Sequence, residues 1–145
     1  MTNLYADTSA LVGAYLRDES DHARLKDLLR TRAHKVGTLE FAHLEFIGAI
    51  RSAHRSQRLR KPDRFLEAFR LECSDETIRL LRPNPDQLLS EGMRIMGSHR
   101  LRTLDALHLA TALLASRDSA DDNFRFVTRD AAQADAASAE GLDVI

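Results

Sequence analysis

The sequence predicts an α/β protein, a sandwich with a short, mainly parallel central sheet and helices on both faces. Three observations carry that expectation. Short strand-like stretches alternate with longer stretches of helical periodicity along the whole chain. One helix, near the centre of the second half, is apolar almost all round and must be buried. No internal repeat, low-complexity tract or linker interrupts the pattern, so residues 1–145 read as a single domain.

The elements follow in order. A strand over 3–6 opens into an apolar helix over 9–16. Residues 20–32 form an amphipathic helix, with Leu25, Leu28 and Leu29 at helical spacing. A second strand covers 35–38, and Thr38 is placed to cap a long helix over 39–57. Pro62 suits the first turn of a helix over 62–73. A third strand covers 77–81; Pro83, Asn84 and Pro85 end it, and a helix follows over 86–98. Thr103 is placed to cap the all-round apolar helix, 104–115. A polar loop over 118–123 leads to a strand over 124–128. A helix over 131–140, stopped by Gly141, and a strand over 143–145 complete the chain. Ligands of such sheets bind beyond the carboxyl ends of the strands.

Composition narrows the function classes. The chain has 145 residues, 43% hydrophobic and 30% charged, the balance of a soluble protein with one core. Twenty-one basic residues against 22 acidic ones give a net charge of −1, which excludes a histone-like basic surface. Lys26, Lys35 and Lys61 are the only lysines; the remaining basic residues are arginine, the better shape for phosphate. Cys73 stands alone, so neither an internal disulfide nor a thiolate cluster forms, and the expected setting is cytoplasmic. No signal peptide and no membrane span are read.

Four acids occupy positions that a surface role explains poorly. Asp7 and Asp130 each follow a strand and precede a helix, so both project at one edge of a parallel sheet; helix capping is the plain alternative for each. Glu45 shares a helix face with Phe41, Ala42, Gly48 and Ala49, a poor home for an unpartnered carboxylate. Glu40 projects elsewhere and reads as an ion-paired surface residue. Asp105 opens the most apolar helix, where the dipole tolerates it but burial beside Leu101, Leu109 and Ala112 is costly. Four converging carboxylates repel each other unless a divalent cation joins them. Oxygen ligands suit Mg²⁺ or Mn²⁺, and no histidine pair of the HExxH kind argues for zinc. Such ions serve phosphoryl chemistry by activating water and stabilising the leaving oxygen.

The segments LYADTSALV (4–12), LRTLDALHLATAL (101–113) and FVTRDAAQADAASAEGLDVI (126–145) resemble the signature segments of PIN-domain ribonucleases. More narrowly, the chain resembles the VapC toxins of type II toxin–antitoxin modules over essentially its whole length. The resemblance implies a PIN-like α/β/α fold and a Mg²⁺- or Mn²⁺-dependent endoribonuclease. It also implies a cognate VapB-like antitoxin and a homodimer. The family's acidic quartet carries over to Asp7, Glu45, Asp105 and Asp130 as metal-holding and catalytic residues. The segment TLEFAHLEF offers Glu40 as a competitor to Glu45. Thr8, Ser9 and Thr128 match the small hydroxyl positions beside the metal, with helix capping an equal explanation. Gln133 departs from the leucine of many relatives, which affects the packing of the last helix. His108, one turn after Asp105, either touches RNA, orients a carboxylate or simply packs.

The segment Arg51, Arg55, Arg58, Arg60, Lys61 and Arg64 reads as a phosphate-tracking rim, a solvated helix end or an antitoxin surface. Arg102 and Arg129 flank two of the acids and are further candidates for RNA contact, with Arg100 beside them. Three other functions remain on the sequence alone. One is a PIN ribonuclease of RNA maturation without an antitoxin, and another a metal-free binding module. The third is a Mg²⁺-binding phospho-acceptor domain resembling response-regulator receivers. That last pattern expects an acid pair after the first strand and a late lysine, where this chain has Asp7 alone and Arg129.

Overall fold

In the computed structural model, residues 2–120 and 122–145 are described; Met1 and Asp121, the latter inside the polar loop expected over 118–123, lie outside them. The first strand, β1 (Asn3–Ala6), occupies the middle of the sheet. It pairs in parallel with β2 (Lys35–Leu39) on one side and β4 (Arg125–Val127) on the other. β3 (Ile78–Leu81) and β5 (Asp143–Val144) form the two edges, giving the all-parallel order β3-β2-β1-β4-β5. Among the described residues seven helices join them. They are α1 (Thr8–Tyr15), α2 (His22–Arg30), α3 (Ala42–Arg55), α4 (Pro62–Ser74), α5 (Pro85–Ser98), α6 (Thr103–Asp118) and α7 (Ala131–Ala139).

Alternation along the strands divides the core in two. Leu4 and Ala6 of β1 face α1 to α4, where Phe46 stacks on Phe69 at 4.2 Å and Tyr15 packs edge-on against both. Tyr5, between them in sequence, faces α5 to α7 and stacks on Phe126 at 5.5 Å. The helices therefore cover both faces, as expected. The chain steps from β1 outward to β3, then crosses through α5 and α6 to β4 on the far side of β1. That reversal opens a crevice at the carboxyl ends of β1 and β4, the place where such sheets take ligands.

Three local expectations change. Thr38 does not cap a helix: it lies in β2, wholly buried, and its hydroxyl donates to the Ala6 carbonyl at 2.7 Å. Pairing of Leu39 with Leu81 extends the strand, so α3 begins at Ala42 rather than at residue 39. Thr103 is the first residue of α6 rather than its cap, and the helix continues to Asp118. Sheet pairing and burial overrode the capping propensity of Thr38.

Candidate active site

Asp7 follows β1 directly, and its backbone N–H donates to the Val127 carbonyl of β4 at 3.1 Å, which fixes it in the crevice. It caps α1: one carboxylate oxygen accepts from the Ala10 N–H at 3.0 Å and the Ser9 hydroxyl at 2.7 Å. The other accepts from the Thr128 hydroxyl. Burial to 4% exposure pushes the Asp7 carboxyl above its usual range, against the pull of these donors. Ser9 and Thr128 each serve a second partner: Ser9 accepts from the Arg129 N–H at 2.9 Å, and Thr128 from the Asp130 N–H at 3.0 Å. Asp130 in turn caps α7 through the Gln133 N–H at 3.1 Å while its side chain stays exposed.

Glu45 sits in the first turn of α3, a consequence of the later helix start. Its Oε1 accepts from the Thr8 hydroxyl at 2.9 Å and from His108 Nε2 at 2.7 Å. Burial raises this carboxyl, but His108 and Thr8 outweigh burial and hold it below its usual range. A carboxylate only accepts, so Nε2 of His108 carries the proton. Nδ1 lies 2.6 Å from the hydroxyl of Tyr5, which accepts from the Leu39 N–H at 3.1 Å. Burial raises the Tyr5 hydroxyl far beyond neutrality, so it keeps its proton. His108 is buried and orients a carboxylate, one of the roles weighed for it from sequence.

Asp105, in the first turn of α6, has no hydrogen-bond donor facing its carboxylate among the described residues. Burial raises its carboxyl, and the negative charges of Asp130, Asp7 and Glu45 raise it further. The four acids thus share one electrostatic neighbourhood. Gln133, wholly buried, ties two of the helices that bear them: its side-chain amide donates to the Asp105 carbonyl at 3.0 Å and its backbone N–H to Asp130. Sequence reasoning missed Tyr5 and Gln133 as part of this site. A tyrosine in a core strand carries no signal of it, and Gln133 showed only as a departure from the leucine of many relatives.

The basic candidates separate. Arg58 bridges Asp18 and Glu19 at 2.9 Å each, and Arg129 pairs with Glu19 at 3.0 Å. Arg51 stands 3.7 Å from Asp63. Arg55 and Arg102 are exposed, with no ion-pair partner among the described residues. The rim is therefore broken by internal pairing rather than continuously free. Glu40, the competitor of Glu45, pairs with Arg82 at 2.8 Å on the surface.

The donor set is all oxygen, which matches a hard divalent cation. Among the described residues no three His, Cys, Asp or Glu side chains form a ready metal cage. The reason is visible in the hydrogen bonds: Asp7 and Glu45 turn oxygens toward Thr128, Ser9, Thr8 and His108. The residues fit a cation by the oxygen chemistry of their donors and by charge.

Comparison with known proteins agrees with the fold. The structure is similar to the crystal structure of FitAcB from Neisseria gonorrhoeae, with a TM-score of 0.60 and 14% identity, covering 98% of this chain and 96% of that one. At that identity the likeness is one of fold. No curated protein matches the chain. The family model of the PIN domain matches residues 4–139, nearly the whole length, and the chain belongs to the PIN-domain family.

Proposed function

We propose that this protein is a divalent-metal-dependent endoribonuclease toxin of the VapC type, hydrolysing RNA phosphodiester bonds and inhibited by a cognate VapB-like antitoxin. PIN domains are generally metal-dependent nucleases, and family membership supports nuclease activity directly. The observation that carries the site is Asp105, a carboxylate without a donor, raised by burial and by three neighbouring acids. Mg²⁺ or Mn²⁺ held by Asp7, Glu45, Asp105 and Asp130 would relieve that repulsion, activate water and stabilise the leaving oxygen. The protein's own groups prepare the acids. Ser9 and Thr128 hold both oxygens of Asp7, Thr8 and His108 hold Glu45, and Gln133 sets Asp105 against Asp130. Arg55 and Arg102 are exposed and unpaired among the described residues, and so are among the cations available for phosphate. The resemblance to VapC toxins also supports a cytoplasmic homodimer. Among the described residues no helix is long and apolar enough to cross a membrane.

The test is RNA cleavage with and without Mg²⁺ or Mn²⁺, followed by mapping of new 5′ ends. Asp7→Asn and Asp105→Asn are expected to lose cleavage by about 100-fold or more while keeping the native circular dichroism. Full activity in either variant, or in excess EDTA, overturns the metal reading. Growth arrest on expression, relieved by the product of a small adjacent reading frame, is expected of a toxin. Its absence points to RNA maturation instead.

A further inference from the structure

A cavity of about 500 Å³ lies on the α5–α6 face of the sheet, apart from the four acids, and the nuclease reading leaves it unused. Its volume is in the range of small-ligand sites. The floor is the β1–β2 pair at Gly37, whose backbone is partly exposed in mid-strand. A Cβ there would meet the Leu81 side chain, 3.0 Å from its Cδ1, so glycine at this position makes room for Leu81, itself a wall residue. Leu81, Leu114 and Phe124 supply apolar walls.

The rim is cationic. Among the described residues, Lys35, Arg79 and Arg82 line the cavity against one acid, Asp118. Arg82 is engaged by Glu40, whereas Lys35 and Arg79 are exposed, with no ion-pair partner among the described residues. Asn84 already accepts from the Asp86 and Gln87 N–H groups of α5, so anion recognition falls to Lys35 and Arg79 rather than to the helix end. Two free cations, one of them an arginine fork, suit an anionic group such as a phosphate. The apolar walls suit a flat ring, which inorganic phosphate lacks. Asp118 is an acceptor for hydroxyl or amino donors, which a fatty acid lacks. We propose that this cavity binds a nucleoside monophosphate, with its phosphate on Lys35 and Arg79 and its base against the apolar walls of Leu81, Leu114 and Phe124.

The inference stands independently of the nuclease reading. The test is titration of the full chain with AMP, GMP, CMP and UMP in EDTA, followed by ¹H–¹⁵N NMR. Saturable shifts at Gly37, Leu81 and Ala115 are expected for at least one nucleotide. The variant Lys35→Glu with Arg79→Glu alters only exposed side chains and is expected to weaken binding about tenfold or more. Gly37→Val is expected to block it by displacing the Leu81 wall. Asp105→Asn is expected to bind as the parent does. The proposal is overturned by the absence of saturable shifts with all four nucleotides, or by shifts centred on Asp7 and Asp130. It is equally overturned if inorganic phosphate or an uncharged nucleoside matches the nucleotide.

Discussion

Asp105 carries the electrostatic cost of the site. Its folded form binds a proton more tightly than the unfolded chain does, whose carboxyl titrates near 3.8. The stability from that proton is complete below the unfolded value and is lost as pH rises through the raised folded value. Asp7 has the same sign, since burial outweighs its donors. Glu45 has the opposite sign: held low by His108 and Thr8, it stabilises the fold above 4.5 and loses that contribution as pH falls. Asp105→Asn should therefore raise the melting temperature in EDTA at pH 7, by about 2–5 °C, and the gain should shrink toward pH 4. Mg²⁺ should stabilise the parent more than the variant. Scanning calorimetry across pH checks both, and a lower melting temperature for Asp105→Asn at pH 7 would mean that the acids do not repel.

At the scale of elements, capping and the candidate chemistry use the same residues. Asp7 and Asp130 are helix caps, and they also face the crevice between β1 and β4. The alternatives left open by the sequence are compatible, because a strand-to-helix junction needs an acceptor at the helix start and a parallel sheet puts its ligand site at the same edge. Substitution can separate the roles. Asp130→Asn keeps an acceptor for the Gln133 N–H, so stability should stay within about 0.5 kcal/mol while cleavage falls sharply. Asn84→Ala removes the cap that two α5 amides share and should cost about 1 kcal/mol. Urea denaturation beside an RNA assay reads both effects. The start of α3 carries a related lesson: once Leu39 joins the sheet, Glu45 falls in the first helical turn, where the dipole also favours it.

Over the whole molecule, the net charge of −1 hides a division of labour. Acids gather at the carboxyl edge of the sheet, and several arginines are spent on neighbours. Arg58 and Arg129 share Glu19, joining the end of α3 and the loop after β4 to the segment between α1 and α2. Removing Arg58 should therefore affect packing more than RNA binding. Arg55→Ala with Arg102→Ala, made in the Asp105→Asn background, should lower the log–log salt slope of RNA binding by about 1.4, the value for two phosphate contacts on a single strand. Filter binding across salt concentrations measures it, and an unchanged slope assigns those arginines to another partner.

Alternation of strands and helices, the buried character of α6 and the junction positions of Asp7 and Asp130 were legible in the residues alone. Each depends on neighbours within a turn or two of chain, where periodicity and capping chemistry act. The partners of Glu45 were not legible. Tyr5 and His108 meet across 103 residues, and Thr8 reaches Glu45 across 37. Neither distance has meaning until the sheet order puts β1 between β2 and β4. The same order drew Thr38 into the sheet and decided which arginines found acids. It also set Gly37 and Leu81 side by side at a cavity. The sequence by itself determined which chemistry the chain carries, because residue type and local spacing are local properties. The tertiary structure decided which groups are spent on each other and which remain for a ligand, because that depends on contacts between distant segments.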